Sequence, residues 1–247
     1  MTRQTAVPTP SILTEVAAVS ATWATLAEVE KAALMRSCAF GTPLTLTEQS
    51  RSADQYGSSI RGNVRALWAA AVDADQFMNA MRATVQRGLT QAWHEGAGEC
   101  GIKPDELTDA ETKALETAVR SEYGYIFAFG EFIEANNKAN KGRLQDLYGR
   151  VSLWVNRYLD ITNRAKVMAC RDQKLEWVLN YVRGTKESCP SCKNLAGQVR
   201  RGSVWERWGV RPQSPPNRRL ACGGWKCGCG LVPTDKPVSR GRLPALP

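Results

Sequence analysis

The feature that most constrains this chain is a group of cysteines near its C-terminus, where five of the eight cysteines fall within 41 residues. Cys189 and Cys192 are spaced C-x2-C, a turn that can direct two sulfur atoms at one metal ion. Cys222, Cys227 and Cys229 follow as C-x4-C-x-C and can supply the remaining ligands. Thiolates from two separate loops that bind one ion give a fixed shape to a segment with few core residues. The pattern therefore predicts a structural zinc site.

A structural zinc site takes four ligands, and the sequence offers five. Our first choice is Cys189, Cys192, Cys227 and Cys229, with Cys222 as the main substitute. The alternatives are a module with reduced thiols and no metal, or one held by a disulfide. A redox motif of the thioredoxin type is disfavoured, because the strand–C-x2-C–helix context of an α/β domain is missing. The scattered cysteines are expected to act as small hydrophobic residues: Cys38, Cys100 and Cys170.

The region before the cysteines predicts a mainly α fold. Apolar residues recur there with the 3.6-residue period of amphipathic helices, and short turns separate the helices. We expect a flexible arm (residues 1–10) and then a helical body (residues 11–170). Within the body, the polar stretch Thr42–Ser59 predicts a loop. The expected helices are Ser11–Phe40, Ser59–Glu95, Thr108–Asn136 and Arg143–Ala169.

Residues 171–233 predict a small α+β or irregular module, rich in cysteine and similar to a zinc ribbon. Leu175–Arg183 contains β-formers in partial alternation and predicts a strand, with continuation of the preceding helix as the competing interpretation. Gly197–Arg200 is a second short strand candidate. The last residues (234–247) are rich in proline and basic residues and predict a flexible basic tail.

Charge is distributed unevenly along the chain. Residues 1–140 carry 12 Lys and Arg against 17 Asp and Glu, a balance of −5, whereas residues 141–247 carry 21 against 7, a balance of +14. A basic C-terminal part suggests a polyanion such as nucleic acid, although a solvated surface or an acidic protein partner also fits. The candidate contact residues are Arg200, Arg201, Arg207, Arg211, Arg218, Arg219 and Lys226.

Three tryptophans lie among these basic residues: Trp205, Trp208 and Trp225. They could stack on bases, but we expect them to form the small core of the module, because it contains few aliphatic residues.

The sequence does not indicate an enzyme. His94 is the only histidine, and its position favours an interaction with a helix C-terminus. Nucleophile-elbow and phosphate-loop motifs are missing, and a zinc ion held by four thiolates has no open position at which to activate water. The apolar runs are too short to span a bilayer, and the N-terminus lacks the apolar segment of a signal peptide. We therefore expect synthesis in the cytoplasm.

The order of features in the C-terminal half resembles that of tailed-phage head morphogenesis proteins, also called minor head or Mu F-like proteins. The resemblance lies in Trp177, the C-x2-C pair, the Leu-x-Gly-x-Val step Leu195–Val199, the loop with Pro212 and the final C-x-C. Many members of the family place His-Pro before that C-x-C, where this chain has Cys222 instead. The difference favours Cys222 as a metal ligand.

The resemblance implies a virion component at the portal vertex or capsid interior, present in few copies. Its implied partners are the portal protein, the major capsid protein and packaged double-stranded DNA, with neither a membrane nor a small-molecule substrate. The alternative is a zinc-ribbon protein that binds nucleic acid outside a virion.

Overall fold

The computed structural model describes residues 46–180, 187–225 and 227–246, with side chains from residue 51 onward. All of them belong to one compact unit, Pro43–Pro247. The arm and helix expected before residue 42, with Cys38, lie outside the described residues.

The fold is mainly helical and ends in a small sheet beside the cysteines, as the sequence predicted. A 3-10 turn at Pro104–Glu106 precedes the third helix. In chain order, the helices and strands are α1 (Leu46–Trp68), α2 (Ala74–Gly98), α3 (Asp109–Ala135), α4 (Leu144–Ala169), β1 (Lys174–Val178), α5 (Pro190–Leu195), β2 (Val199–Arg201), α6 (Gly202–Trp208) and β3 (Gly230–Pro233). Among the described residues, no helix combines the length and apolar character needed to cross a membrane.

Helix α1 covers residues 46–59 of the stretch Thr42–Ser59, which the sequence predicted as a loop, and for these residues that prediction was wrong. The helix buries only a narrow stripe of side chains, one on each turn: Ala53, Tyr56, Ile60, Val64 and Leu67. Their spacing of three and four residues is helical, but most residues between them are polar. The polar composition therefore concealed an amphipathic helix.

The single helix predicted for Ser59–Glu95 is divided into α1 and α2. The chain turns after Trp68, where Ala70 adopts a positive φ of 56°. Asp73 then caps α2: its side chain accepts a hydrogen bond from the Gln76 backbone N–H at 2.7 Å, and the Gln76 side chain accepts one from Asp73 at 3.1 Å. This reciprocal capping box satisfies N–H groups that a helix start leaves without partners, so it fixes a new helix start here.

Helices α3 and α4 agree with the predicted spans to within one residue at most ends. Thr108 caps α3 and Glu111 completes the predicted capping box, with the Glu111 carboxylate accepting from the Thr108 N–H at 2.7 Å. The α4 helix packs against α2 so closely that a Cβ atom on Gly96 would overlap the backbone oxygen of Thr162. These helices enclose an apolar core that includes Phe77, Trp93 and Tyr158.

The C-terminal module is built on a three-stranded antiparallel sheet with the order β2-β1-β3. The strand predicted for Leu175–Arg183 is therefore present, but it ends at Val178. The module has its own core around Trp177 and Trp205, whose rings lie 5.6 Å apart. Three of the clustered cysteines, Cys192, Cys227 and Cys229, belong to this core.

Helix α4 holds the outer edge of β3 with two polar side chains. The Asn163 Oδ1 accepts from the Leu231 N–H at 3.3 Å, and the Lys166 Nζ donates to the Leu231 carbonyl at 3.1 Å. The backbone N–H and C=O of Leu231 face away from β1 and are buried, and these two hydrogen bonds satisfy both of them. The module is thus fixed to the end of the helical body.

Residues 234–246, predicted as a flexible tail, run along the other edge of the sheet. Ser239 exchanges two hydrogen bonds with the backbone of Val199, at 2.9 and 3.0 Å. Further along, Leu243 and Leu246 pack against the core of the module. These contacts hold the segment in place, which its composition alone did not indicate.

Candidate metal centre

The C-x2-C pair forms the start of the short helix α5. Cys189 is the N-cap residue, and its Sγ accepts a hydrogen bond from the Cys192 backbone N–H at 3.4 Å. Pro190 occupies the first helical turn, where the missing N–H costs nothing. This local geometry turns the two sulfurs towards the same side.

The loop that carries Cys222 is fastened to α5. The buried hydroxyl of Ser191 accepts a hydrogen bond from the Ala221 N–H at 2.8 Å. The chain then reverses at Gly224, whose φ is 79° and whose missing Cβ leaves room for the backbone of Ser214. Only glycine fits such a position, since a side chain would be strained and would also clash.

The last two cysteines lead directly into β3. Because β3 pairs with β1 in the sheet, Cys229 has a fixed position at the start of that strand. Its Sγ lies 3.9 Å from the Ser188 hydroxyl, which precedes the C-x2-C pair. Segments about 40 residues apart in sequence therefore meet here, as the sequence predicted.

The five sulfurs form two groups of three that share Cys192. Within each group the sulfur atoms lie within 4.8 Å of one another: Cys189, Cys192 and Cys222, and Cys192, Cys227 and Cys229. The Cys192 and Cys227 sulfurs are 3.7 Å apart. A tetrahedral zinc ion with Zn–S bonds of about 2.3 Å places its ligands about 3.8 Å apart, so this separation fits two thiolates on one ion.

The thiols also interact through hydrogen bonds between sulfur atoms. Hydrogen bonds from Cys192 and Cys227 lower the pKa of Cys222 to about 2 and the pKa of Cys229 to about 3. Hydrogen bonds with its neighbours, that with Cys222 first, raise the pKa of Cys192. The thiolate is the form that binds metal, so a cation bound here would displace protons from the cluster.

The donor set can hold a metal ion. In the described part of the chain, the close groups of possible ligands contain only cysteine, and His94 lies on α2 away from them. Burial lowers the pKa of His94, which favours its neutral form over the cation that would interact with a helix C-terminus. Thiolate sites select soft or borderline metals, namely zinc, copper(I) or iron in clusters with sulfide.

Two of the arginines predicted to contact a partner, Arg200 and Arg211, are held by acceptors within the chain. Arg200 is buried and donates hydrogen bonds to the carbonyls of Ser239 and Gly241, so its guanidinium secures the tail. The Arg211 guanidinium lies 3.2 Å from the buried carboxylate of Asp160 on α4. Charge counts do not reveal which guanidinium meets protein acceptors, and a partner contact at these two arginines stays a prediction.

The other candidates lie on the surface. Arg201, Arg207 and Arg218 are exposed, whereas the side chain of Lys226 lies outside the described residues. Arg219 is exposed too, but it donates to the Trp208 carbonyl and lies over the Trp208 ring.

The tryptophans divide between core and surface. Trp205 is buried in the core of the module and donates to the Leu175 carbonyl at 3.1 Å, as the core interpretation requires. Trp225 is 45% exposed, so it does not belong to that core. It lines a groove beside the cysteines.

Two cysteines that were expected to act as small hydrophobic residues are bonded to each other. Cys100 follows α2 and Cys170 follows α4, and they form a disulfide with Cα atoms 5.6 Å apart. They are separated by 70 residues in sequence, which gave no indication of the pairing. The disulfide links the ends of two helices beside the C-terminal module.

Comparisons with protein-family models, with curated proteins and with solved structures find no match to this chain.

Proposed function

We propose that this chain is a structural protein of a tailed-phage head, a minor head protein in which one zinc ion holds the C-terminal module in shape. The observation that carries the proposal is the convergence of five cysteines, in two groups that share Cys192, at the core of the module; among the described residues these groups contain no other type of ligand. Four thiolates close the coordination sphere of zinc, so the ion stabilises the fold and does not react with a substrate.

The position of the module supports a docking function. Buried contacts from α4 to Leu231 fix the module on the helical body, and the disulfide beside it links the ends of α2 and α4. A rigid unit of this kind can present one surface to the portal or capsid protein and another to packaged DNA. The order of motifs that resembles minor head proteins supplies the biological context for this proposal.

The exposed basic residues favour nucleic acid as one of the partners. Arg207 and Arg218 are free of the buried acceptors that hold Arg200 and Arg211. Trp225 presents an exposed ring on the same module. The same features support the second candidate function, a zinc-ribbon protein that binds nucleic acid outside a virion, because arginine and exposed aromatic rings bind phosphates and bases in either setting.

Metal content tests the structural part of the proposal. Elemental analysis of the purified chain should give about one zinc per molecule, and Cys192→Ser should lose it, since Cys192 belongs to both sulfur groups. The double variant Cys100→Ser/Cys170→Ser is the matched control, because these two cysteines are bonded to each other and belong to neither sulfur group, and it should retain the metal. Zinc-free protein with an unchanged melting temperature would contradict a structural role.

Co-expression with the proteins encoded by the neighbouring genes, among which the proposal expects a portal and a capsid protein, tests the head assignment. The chain should sediment with assembled heads in a sucrose gradient, and it should leave them when the zinc ligands are replaced. A chain that stays at the top of the gradient, yet binds a discrete DNA sequence at moderate salt, would favour the second candidate.

A further inference from the structure

The candidate metal centre contains one more thiol than a tetrahedral ion can bind. One of the five cysteines is therefore left over whenever a single zinc ion is bound. The structure divides the five by exposure, because Cys192, Cys227 and Cys229 are buried whereas Cys189 and Cys222 are only partly buried.

The buried and half-buried cysteines correspond to the two sulfur groups. The three buried cysteines form one group by themselves, and the half-buried pair joins it through the shared Cys192. An ion held by the buried group needs one more ligand, and Cys189 and Cys222 are the two cysteines of the cluster left to supply it. Both sulfurs lie within 4.8 Å of the shared Cys192 sulfur and of each other, so each is a candidate for the fourth position.

The spare thiol is accessible to small molecules. A groove of about 370 Å³ is lined by Cys189, Cys222, Cys227 and Cys229, and Lys193 and Trp225 contribute exposed side chains to its walls. Cys192 does not line the groove. Cys227 and Cys229 are only 8% and 1% exposed, so a small oxidant that enters the groove meets mainly the half-buried pair.

We propose that Cys189 and Cys222 form an oxidation-sensitive pair, in which the two alternate as the fourth zinc ligand and a peroxide joins them in a disulfide that opens the metal site. The inference rests on the proposed zinc site. It adds a modification site and assigns the fifth cysteine a function.

The chemistry balances with one peroxide molecule. The spare thiolate attacks a peroxide oxygen, which breaks the O–O bond, gives a sulfenic acid and releases hydroxide. The zinc-bound thiolate of the pair then leaves the ion, attacks the sulfenic sulfur and expels a second hydroxide as the S–S bond forms. The two sulfurs lose two electrons in total, and the two hydroxides become water on protonation. The zinc ion keeps three thiolates and binds less tightly.

Single and double variants test the exchange of ligands. Cys189→Ser and Cys222→Ser should each retain about one zinc per chain, because the other cysteine takes the fourth position. The double variant should lose zinc to a competing chelator, as Cys192→Ser does. Circular dichroism shows whether each variant is folded. If either single variant loses zinc as completely as Cys192→Ser, there is no exchange and the inference is overturned.

Oxidation with hydrogen peroxide tests the disulfide. The wild-type chain should release its zinc to a chromogenic chelator, and peptide mapping without reduction should find a new Cys189–Cys222 disulfide beside the existing Cys100–Cys170 bond. Zinc release from Cys222→Ser should be slower by on the order of tenfold, because no second thiol resolves the sulfenic acid. Release at the wild-type rate, or a new disulfide between other cysteines, would overturn the inference while leaving the zinc site intact. A wild-type chain without zinc would overturn both.

Discussion

The Nζ of Lys166 lies 2.6 Å from the Oε1 of Glu99, and both side chains are almost completely buried. Glu99 is the C-cap residue of α2, and Lys166 lies in the last turn of α4. Because the same ammonium group donates to the Leu231 carbonyl, this ion pair joins two helices of the body to the sheet of the module.

We expect Lys166→Met to destabilise the chain by about 3–5 kcal/mol, since it removes the cation beside a buried carboxylate. Urea denaturation followed by circular dichroism measures the change in the free energy of unfolding. Lys236→Met is the matched control: Lys236 pairs with Glu176 at 2.7 Å, but its side chain is 63% exposed. That exposed pair should contribute no more than about 1 kcal/mol.

A double variant separates the effect of an unpaired buried charge on stability from the effect of altered packing. In Lys166→Met combined with Glu99→Leu, neither charge of this pair remains, so most of the lost stability should return. Equal destabilisation by the single and double variants would show that packing, and not the charge, explains the effect.

The contact between α2 and α4 depends on the absence of a side chain at Gly96. Gly96→Ala would push a methyl group into the Thr162 carbonyl, and we expect destabilisation of about 1–3 kcal/mol. Gly98→Ala is the control in the same helix, because a Cβ there meets no atom within 4 Å. It should leave stability unchanged or raise it by up to about 1 kcal/mol through helix propensity. Thermal melting of both variants distinguishes a steric clash at Gly96 from the effect that replacing any helical glycine by alanine has on stability.

The sequence predicted the parts of the fold whose signals are local. The start of α3 is determined by the capping box of Thr108 and Glu111, and the span of α4 by its wide apolar stripe. Both signals are local, so both predicted helices agree with the structure. Helix α1 was missed because its buried stripe is one residue wide on most turns, and the stripe around Tyr56 is diluted by polar neighbours. The capping box of Asp73 and Gln76 could have revealed the break before α2.

For the candidate site too, the sequence predicted the features set by local spacing and missed those set by long-range contacts. The spacing of the cysteines was sufficient to predict that they converge. Each of the C-x2-C and C-x-C motifs can place its sulfurs close together through local geometry, so a single contact between the two segments forms the site. The burial of Arg200 depends on carbonyls about 40 residues away, and the Cys100–Cys170 disulfide depends on how α2 and α4 pack. Composition and spacing contain no information about such long-range contacts.

Glu95 should make stability depend on pH. It is buried on α2, and burial raises the pKa of its carboxyl above the ordinary value of 4.5, although hydrogen bonds from neighbours including Gln91 partly oppose this. The folded state therefore holds the Glu95 proton more tightly than the unfolded state does. Its favourable contribution is complete below the unfolded pKa and is lost as the pH rises through the folded pKa.

The isosteric variant Glu95→Gln removes this titration. We expect it to be more stable than the wild-type chain at about pH 8, and to lose that advantage at about pH 4, where the wild-type carboxyl is protonated in both states. Urea denaturation at several pH values measures both curves. Parallel curves would show that the carboxyl does not titrate differently on folding.

Arg218 and Arg200 should behave in opposite ways if the C-terminal module binds DNA. Arg218 is exposed, so Arg218→Gln should weaken binding to a random-sequence duplex and reduce the slope of log K against log salt by about one unit, as the loss of one phosphate contact requires. Its melting temperature should stay within experimental error of wild type. Arg200→Gln should instead lower the melting temperature, because Arg200 holds the tail through buried hydrogen bonds.

Fluorescence anisotropy at several salt concentrations provides the affinities for this comparison. Arg120→Gln supplies the control for a general loss of positive charge, since Arg120 is 77% exposed on α3, outside the module. An equal loss of affinity for Arg120→Gln and Arg218→Gln would mean that the net charge attracts DNA and that the module has no defined contact surface. No measurable affinity in any of the chains would point to an acidic protein partner for the exposed arginines.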